Sequence, residues 1–210
     1  MILLAGGDSF TWGNELPDCD ESRFSRLSWS ALLAERHGLS YHCVAKGGAS
    51  NTTITRNMMS YLDKKNDVDR VEIMWTFPVR HEFLLRNDYS WKMKTDYVNI
   101  SPAHLQDKNK LIAEFTNLFL TLSSHEYHEQ QSLFAIYSMT SYLKERKIPF
   151  RYSAVTVQIY EMLEKDHFLK IDAEWYRPGE GFYDWALKER YEMSEAKHPI
   201  PRAHRDWIDV

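Results

Sequence analysis

Two segments at opposite ends of the chain carry residue types that could together perform nucleophilic catalysis. Gly-Asp-Ser at residues 7–9 directly follows the apolar run 2–5, which predicts a short buried strand and a turn with Ser9 at its tip. Near the C-terminus, His198 has a carboxylate, Glu195, three positions before it. A serine hydroxyl becomes a strong nucleophile when a histidine takes its proton and a carboxylate orients that histidine. These three residue types are therefore the parts of a nucleophilic hydrolase.

Each segment also has an ordinary structural interpretation, which these residues leave open. A Gly-Asp-Ser triplet is common as a simple turn after a strand. His198 is one of nine histidines and could lie on a surface loop. Glu195 could be a solvated charge in the helical-looking stretch 193–197.

Length and composition favour a single domain spanning residues 1–210. Of the 210 residues, 43% are hydrophobic and 27% are charged, as in ordinary globular proteins. The net charge of -4 disfavours a nucleic-acid binder, which would need a dense basic surface. The N-terminal apolar run is too short for a signal peptide or a membrane span, so we expect a cytoplasmic protein. The two cysteines, Cys19 and Cys43, are expected to be reduced.

The apolar pattern alternates strand-like runs with helical stretches. The strand-like runs cover residues 2–5, 40–45, 71–75 and 150–157. The helical stretches cover residues 24–37, 51–62 and 111–147, the last with a break near 123–124. Such alternation is typical of parallel βαβ units and predicts an α/β fold, a three-layer α/β/α sandwich with a mainly parallel sheet of flavodoxin-like type. Ligands of such sheets bind outside the carboxyl ends of the strands, where Ser9, Gly48, Thr76 and the segment before His198 are expected to gather.

Two aromatic-rich segments show no clear period and are interpreted as functional loops or lids. The first lies near residues 82–110 and the second near residues 172–196. Long irregular segments in a compact domain often carry function. Their aromatic side chains, Tyr89, Trp91, Tyr97, Trp175 and Trp185 among them, are candidate platforms for a ligand.

Three blocks of the sequence resemble those of the SGNH/GDSL hydrolase superfamily. The first is Gly-Asp-Ser at residues 7–9, and the second is the segment 45–51, which contains Gly48 before Ala-Ser-Asn. The last is His-Pro at residues 198–199, followed by His204 and Trp207. The resemblance implies a serine esterase without a cofactor, in which Ser9 is the nucleophile, His198 is the general base and the Gly48 N–H binds the oxyanion.

The chain also departs from the pattern of that superfamily. The third block, a Gly-x-Asn-Asp sequence whose asparagine completes the oxyanion hole, is missing after the third predicted strand. Thr76, Arg80 or Asn51 are the candidates to supply the missing donor. Loss of one oxyanion donor lowers the rate by about 10²–10³-fold, so an unreplaced loss would leave a slow enzyme. In addition, Glu195 stands where the superfamily usually has aspartate.

The implied reaction assigns a role to each residue. His198 would take the proton of Ser9, and Glu195 would orient the imidazole, giving an acyl-enzyme that water then hydrolyses. The N–H groups of Ser9 and Gly48 would bind the oxyanion, and we expect a glycine at position 48 because a side chain would obstruct close backbone approach. Asp8 is expected to hold the turn rather than to react.

The leading hypothesis is an esterase that acts on acetyl or other short acyl esters of a carbohydrate or similar small molecule. A second hypothesis, favoured by the missing third block, is a binding protein that keeps the hydrolase fold without its activity. A nucleotide- or phosphate-binding module is a weaker third, because the glycine patterns of such modules are absent. His125 and His128 have helical spacing but no third ligand nearby, so no metal is expected. The sequence leaves the oligomeric state open.

Overall fold

The computed structural model describes residues 1–20, 22–65, 67–86, 95–166, 169 and 171–209. Five strands form one sheet in the order β2-β1-β3-β6-β7, and every neighbouring pair is parallel. Two further strands, β4 and β5, pair antiparallel as a separate hairpin. The strands are β1 (Ile2–Gly6), β2 (Ser40–Cys43), β3 (Val68–Trp75), β4 (His81–Arg86), β5 (Thr95–Ile100), β6 (Phe150–Ala154) and β7 (Glu174–Trp175).

Helices connect these strands and cover the sheet. They are α1 (Ser9–Trp12), α2 (Trp29–Arg36), α3 (Asn51–Leu62), α4 (Lys110–Leu122), α5 (His125–Glu145), α6 (Gln158–Lys165), α7 (Phe182–Lys188) and α8 (Pro201–Trp207). A 3₁₀ turn spans Pro102–Gln106. The predicted break near residues 123–124 is present between α4 and α5, whereas the helix predicted over 24–37 begins only at Trp29.

The sheet separates two apolar layers, because successive side chains of a strand point to opposite faces. On β1, Leu3 packs in a cluster that includes Trp29 of α2 and Trp207 of α8. Leu4 packs in the other cluster, with side chains of α3, α5 and α6 that include Ile136. The predicted three-layer α/β/α sandwich with a mainly parallel sheet is therefore confirmed.

The segment near residues 82–110 contains the β4–β5 hairpin, which the sequence does not reveal by its period. Tyr89 and Trp91 lie outside the described residues. Tyr97 is exposed on β5, and the guanidinium of Arg56 on α3 lies 3.9 Å from the centre of its ring. The aromatic character of this segment thus serves in part to hold the hairpin against α3.

Hydrogen bonds attach the hairpin to the beginning of α3. The side-chain oxygen of Asn99 accepts from the Ser50 N–H at 3.0 Å and from the Thr53 hydroxyl at 2.6 Å. The buried carboxylate of Glu82 accepts from the guanidinium of Arg56. Since Ser50 caps α3 and follows the glycine pair 47–48, the hairpin helps to fix the backbone just after that turn.

Two buried histidines join the hairpin to α5. His81 Nε2 lies 2.6 Å from His128 Nδ1, and His128 Nε2 lies 3.1 Å from the Ser123 hydroxyl. Burial, with a smaller contribution from His128, lowers the pKa of His81 to about 4. Burial also lowers the pKa of His128, helped by the charge of His125. The pair is therefore neutral at pH 7 and shares a single hydrogen between the facing nitrogens.

No helix in the described part of the chain is long and apolar enough to cross a membrane.

The histidine pair predicts a loss of stability in mild acid. A histidine whose pKa is lower in the folded than in the unfolded chain stabilises the fold above pH 6.5, and this contribution is lost as the pH falls toward 4. With the pKa of His81 at about 4 against 6.5 unfolded, the free energy of unfolding should fall by about 2 kcal/mol between pH 7.5 and pH 5. Urea unfolding of the wild type and of His81→Leu at both pH values measures this. The variant should have a lower overall stability but a smaller loss in acid, and an equal loss would contradict the prediction.

Candidate active site

The turn after β1 presents Ser9 at the beginning of α1. Gly7 is required here because a Cβ atom would lie 2.1 Å from Thr11 Oγ1. Asp8 caps the helix, since its Oδ1 accepts from the Phe10 N–H at 3.0 Å. Gly13, with a φ of 81°, ends the helix after a single turn. Ser9 therefore lies at the carboxyl edge of the sheet, where ligands of parallel sheets bind.

Two backbone N–H groups near Ser9 are available to a ligand. Within the described residues, neither the Ser9 N–H nor the Gly48 N–H donates a hydrogen bond to the protein. Gly48 is the third residue of a turn closed by the Ala49 N–H donating to the Lys46 carbonyl at 3.1 Å. Its φ of +71° favours glycine, whereas a Cβ atom there would meet nothing within 4 Å. The backbone conformation thus supplies a reason of its own for a glycine at position 48.

A buried ionic network lies directly behind the Ser9 turn. Asp8 Oδ2 accepts from the Thr76 hydroxyl at 2.6 Å and from Arg80 Nη1 at 2.7 Å. The Asp8 side chain is fully buried, and that of Arg80 is 18% exposed. A hydroxyl has one hydrogen to donate, and Thr76 gives it to Asp8. In this geometry, Thr76 and Arg80 hold the turn that presents Ser9.

Asn51 connects this network to α3 and α5. Its Oδ1 accepts from the Thr76 N–H at 2.8 Å, and its Nδ2 donates to the Thr76 carbonyl at 3.1 Å and to the Ser132 hydroxyl at 3.0 Å. Both hydrogens of the buried amide are thereby used. Asn51 and Thr76, two of the three predicted replacements for the missing oxyanion donor, have no free hydrogen for a substrate.

A carboxylate from the other end of the chain holds His198. Glu15 Oε2 lies 2.6 Å from His198 Nδ1, and it also accepts from the Ser194 hydroxyl at 2.6 Å. Ser194 Oγ in turn accepts from the His198 N–H at 2.9 Å. The hydrogen bonds from Ser194 and His198 lower the pKa of Glu15. An ionised carboxylate on Nδ1 leaves Nε2 of the ring free to accept a proton.

The partner of His198 is thus Glu15 and not the predicted Glu195. The Glu195 side chain is exposed, and within the described residues it makes no hydrogen bond to His198. The sequence does not predict Glu15 as the partner of His198, because the two residues lie 183 positions apart. The φ of Glu15, 65°, and that of Lys197, 67°, are unusual for residues other than glycine. Such backbone strain is frequent at functional sites, but it is visible only in the structure.

His198 lies beside the turn that presents Ser9. Its ring meets the ring of Phe10, the neighbour of Ser9, edge to face with 5.1 Å between the centres. In the part of the chain that the structure describes, Ser9 Oγ and His198 do not form a hydrogen bond. Catalytic hydrogen bonds are often long without a substrate and tighten in the complex, so this arrangement is compatible with proton transfer.

His204 has a structural role within the same C-terminal block. It is buried, and its Nδ1 accepts from the Trp29 N–H at 3.1 Å, which joins α8 to the beginning of α2. Burial lowers the pKa of His204 to about 3, so the ring is neutral.

An open cleft of about 580 Å³ is bordered by Glu15, the partner of His198, and by the glycine turn, whereas Ser9 and His198 themselves are not among its lining residues. Its walls are mixed, with one indole, two amides and several charged groups. They are formed by Trp12, Asn14, Glu15, Cys19, Asp20, Ala45, Lys46, Gly47 and Asn57.

No protein-family model matches the sequence, and no curated protein sequence is significantly similar to it. Solved structures match over nearly its whole length. TesA is 13% identical with a TM-score of 0.58, covering 100% of this chain and 94% of that one. The esterase EstA from Pseudoalteromonas sp., in a structure inhibited by monoethylphosphonate, is 11% identical with a TM-score of 0.54, covering 99% and 92%. A member of the lipolytic protein G-D-S-L family from Veillonella parvula is 12% identical with a TM-score of 0.52, covering 99% and 93%. The resemblance seen in the sequence blocks is thus confirmed at the level of the fold.

The Asp8–Arg80 pair yields a stability prediction. Arg80→Met removes the guanidinium and leaves the carboxylate buried without a counter-charge, which should lower the free energy of unfolding by about 3 kcal/mol. The double variant that combines Arg80→Met with Asp8→Asn should regain part of the lost free energy of unfolding, because the neutral amide at position 8 needs no counter-charge and can donate to the Thr76 hydroxyl. Urea unfolding of the two single variants and the double variant measures the coupling. Strictly additive effects would show that the two charges do not depend on each other.

Proposed function

We propose that this protein is a serine hydrolase that cleaves carboxylic esters, with Ser9 as nucleophile, His198 as general base and Glu15 as the carboxylate that orients His198. The observation that carries the proposal is the 2.6 Å contact between Glu15 and His198, beside the turn that presents Ser9. A carboxylate, an imidazole and a serine hydroxyl in this order are the elements of a catalytic triad. An esterase with the same fold, EstA, supports the reaction type.

The reaction proceeds in two halves. The Ser9 hydroxyl adds to the ester carbonyl carbon while its proton moves to His198 Nε2, and the carbonyl electron pair moves to the oxygen. The alcohol then leaves with that proton, and the acyl group stays on Ser9. Water then adds to the acyl carbon while one of its protons moves to His198 Nε2. The acid leaves as the bond to Ser9 Oγ breaks, and His198 returns the proton to Ser9 Oγ. Glu15 stabilises the imidazolium in each half and remains ionised.

The backbone supplies donors for the negative charge that develops on the carbonyl oxygen. The N–H groups of Ser9 and Gly48 are free within the described residues. Donors fixed in place before the reaction stabilise the oxyanion without having to reorganise. Arg80 contributes indirectly, because it neutralises the Asp8 carboxylate that would otherwise oppose negative charge at Ser9.

The substrates proposed are short acyl esters, such as acetyl esters, of a carbohydrate or similar small molecule. The cleft of about 580 Å³ supports this class, because it combines the indole of Trp12 with the amides of Asn14 and Asn57. An aromatic face and hydrogen-bonding amides suit a polyhydroxylated ring, and the volume suits a small ligand.

A binding protein that keeps the fold without catalysis is the second candidate. The observation that favours it is the lack of a hydrogen bond between Ser9 and His198 among the described residues, together with the missing third block. Covalent labelling of Ser9 separates the two candidates.

The first test is the reactivity of Ser9. The wild type should hydrolyse p-nitrophenyl acetate and take up one fluorophosphonate per chain at Ser9, as measured by absorbance and by mass spectrometry of the labelled peptide. Ser9→Ala should lose both reactions because the nucleophile is gone. Hydrolysis that persists unchanged in Ser9→Ala would exclude Ser9, and a wild type that neither hydrolyses nor labels would favour the binding protein.

The second test compares Glu15, which contacts His198, with Glu195, which precedes His198 in the chain. Glu15→Gln should lower kcat by about 10²–10⁴-fold, because the carboxylate that orients and stabilises the imidazolium is lost. Glu195→Gln is the matched control and should change kcat by less than about twofold, since an exposed surface charge contributes little. Steady-state kinetics on p-nitrophenyl acetate measures both. The reverse order of effects would restore Glu195 as the partner of His198.

A further inference from the structure

The site leaves one position of the oxyanion hole without a side-chain donor. In the superfamily that the sequence resembles, an asparagine of the third block supplies it, and residues 76–82 contain none. Asn51 and the Thr76 hydroxyl have given all their hydrogens to other protein groups. Arg80 gives both Nη1 hydrogens to Asp8 and Thr76, whereas among the described residues its Nε and Nη2 donate no hydrogen bond. The side-chain donor therefore comes either from the rest of this guanidinium or from another part of the fold.

Asn14 lies between the two segments that carry the backbone donors. Its N–H donates to the Ser9 carbonyl at 3.0 Å, so it is fixed to the end of the helix that begins with Ser9. Its carboxamide reaches the glycine turn, where a Cβ atom on Gly47 would lie 3.1 Å from Asn14 Nδ2. A side chain at position 47 would therefore press on this amide, which gives a reason for the first glycine of the pair.

The carboxamide of Asn14 is available to a ligand. Within the described residues it makes no hydrogen bond, in contrast to the amide of Asn51. It also lines the cleft of about 580 Å³, next to Glu15, the partner of His198. A free amide donor thus faces the cleft, whose lining includes Trp12 of α1, Gly47 of the glycine turn and Glu15.

We propose that Asn14 replaces the missing asparagine and that its Nδ2 donates to the oxyanion, together with the N–H groups of Ser9 and Gly48. This role rests on the proposed esterase function. When the Ser9 oxygen bonds to the carbonyl carbon, the displaced electron pair becomes the charge on the carbonyl oxygen. Asn14 stabilises that charge by a hydrogen bond and transfers no proton itself.

Two variants at position 14 test the proposal. Asn14→Ala removes the donor and should lower kcat on p-nitrophenyl acetate by about 10²–10³-fold, with KM changed by less than about threefold, because the bond forms in the transition state. Asn14→Asp keeps the size but replaces the donor by a carboxylate, and should lower kcat at least as much. The rate of fluorophosphonate labelling at Ser9 should fall in parallel, since the phosphoryl oxygen of the adduct occupies the oxyanion position.

The controls separate this role from folding. Asn117→Ala changes an exposed asparagine of α4 and should leave kcat and the labelling rate unchanged. Circular dichroism and thermal unfolding should show all three variants folded like the wild type. Among the described residues, Asn14 bonds to other protein groups through its backbone alone, and Asn117 is exposed.

The possible outcomes are distinct. An active wild type with an equally active Asn14→Ala, or one in which only KM rises, would overturn the role of Asn14 and leave the esterase proposal intact. A kcat loss in Asn14→Ala that Asn14→Asp restores would also overturn it, because aspartate cannot donate. A wild type that neither hydrolyses esters nor labels at Ser9 would overturn the esterase proposal, and the role of Asn14 with it.

Discussion

The buried carboxylate of Asp8 is the interaction on which the arrangement of the site depends. One oxygen caps the helix that begins at Ser9, and the other accepts from Thr76 and Arg80 after β3. A fully buried carboxylate is costly unless it is paired and hydrogen-bonded, so these partners cannot move without a large loss. Because Asn51 binds both backbone groups of Thr76, the constraint extends to the beginning of α3. Three loops at the carboxyl edge of the sheet are thus fixed relative to one another.

A second constraint joins the two ends of the chain. Glu15 follows α1, and His198 precedes α8, yet their side chains meet at 2.6 Å. Ser194 binds both the carboxylate of Glu15 and the N–H of His198, which fixes the loop that carries the histidine. Glu15 and Lys197 both have positive φ values, so the backbone accepts local strain on each side of this contact. Charge-assisted hydrogen bonds are strong enough to hold such a conformation.

The β4–β5 hairpin holds the beginning of α3, next to the glycine turn. Asn99 and Glu82 hold the first turn of α3, directly after the glycine turn with the Gly48 N–H. The His81–His128 pair attaches the same hairpin to α5. The positions of the backbone donors are therefore supported from outside the central sheet, by a segment with no clear period in the sequence.

The sequence by itself determined the layers of the fold and the turn that presents Ser9. Alternating apolar periods predict strands and helices because burial of apolar side chains requires those periods, and Gly-Asp-Ser after a buried strand is a local signal. The tertiary structure decided which polar groups pair with one another. Glu195 was the expected carboxylate because it is near His198 in the chain, but Glu15 is the residue in contact, from 183 positions away. The sequence predicts Thr76 and Asn51 as candidate oxyanion donors. In the structure the Thr76 hydroxyl donates to Asp8, and the Asn51 amide donates to Thr76 and Ser132. Which polar group pairs with which depends on long-range loop packing, for which spacing in one sequence carries no signal.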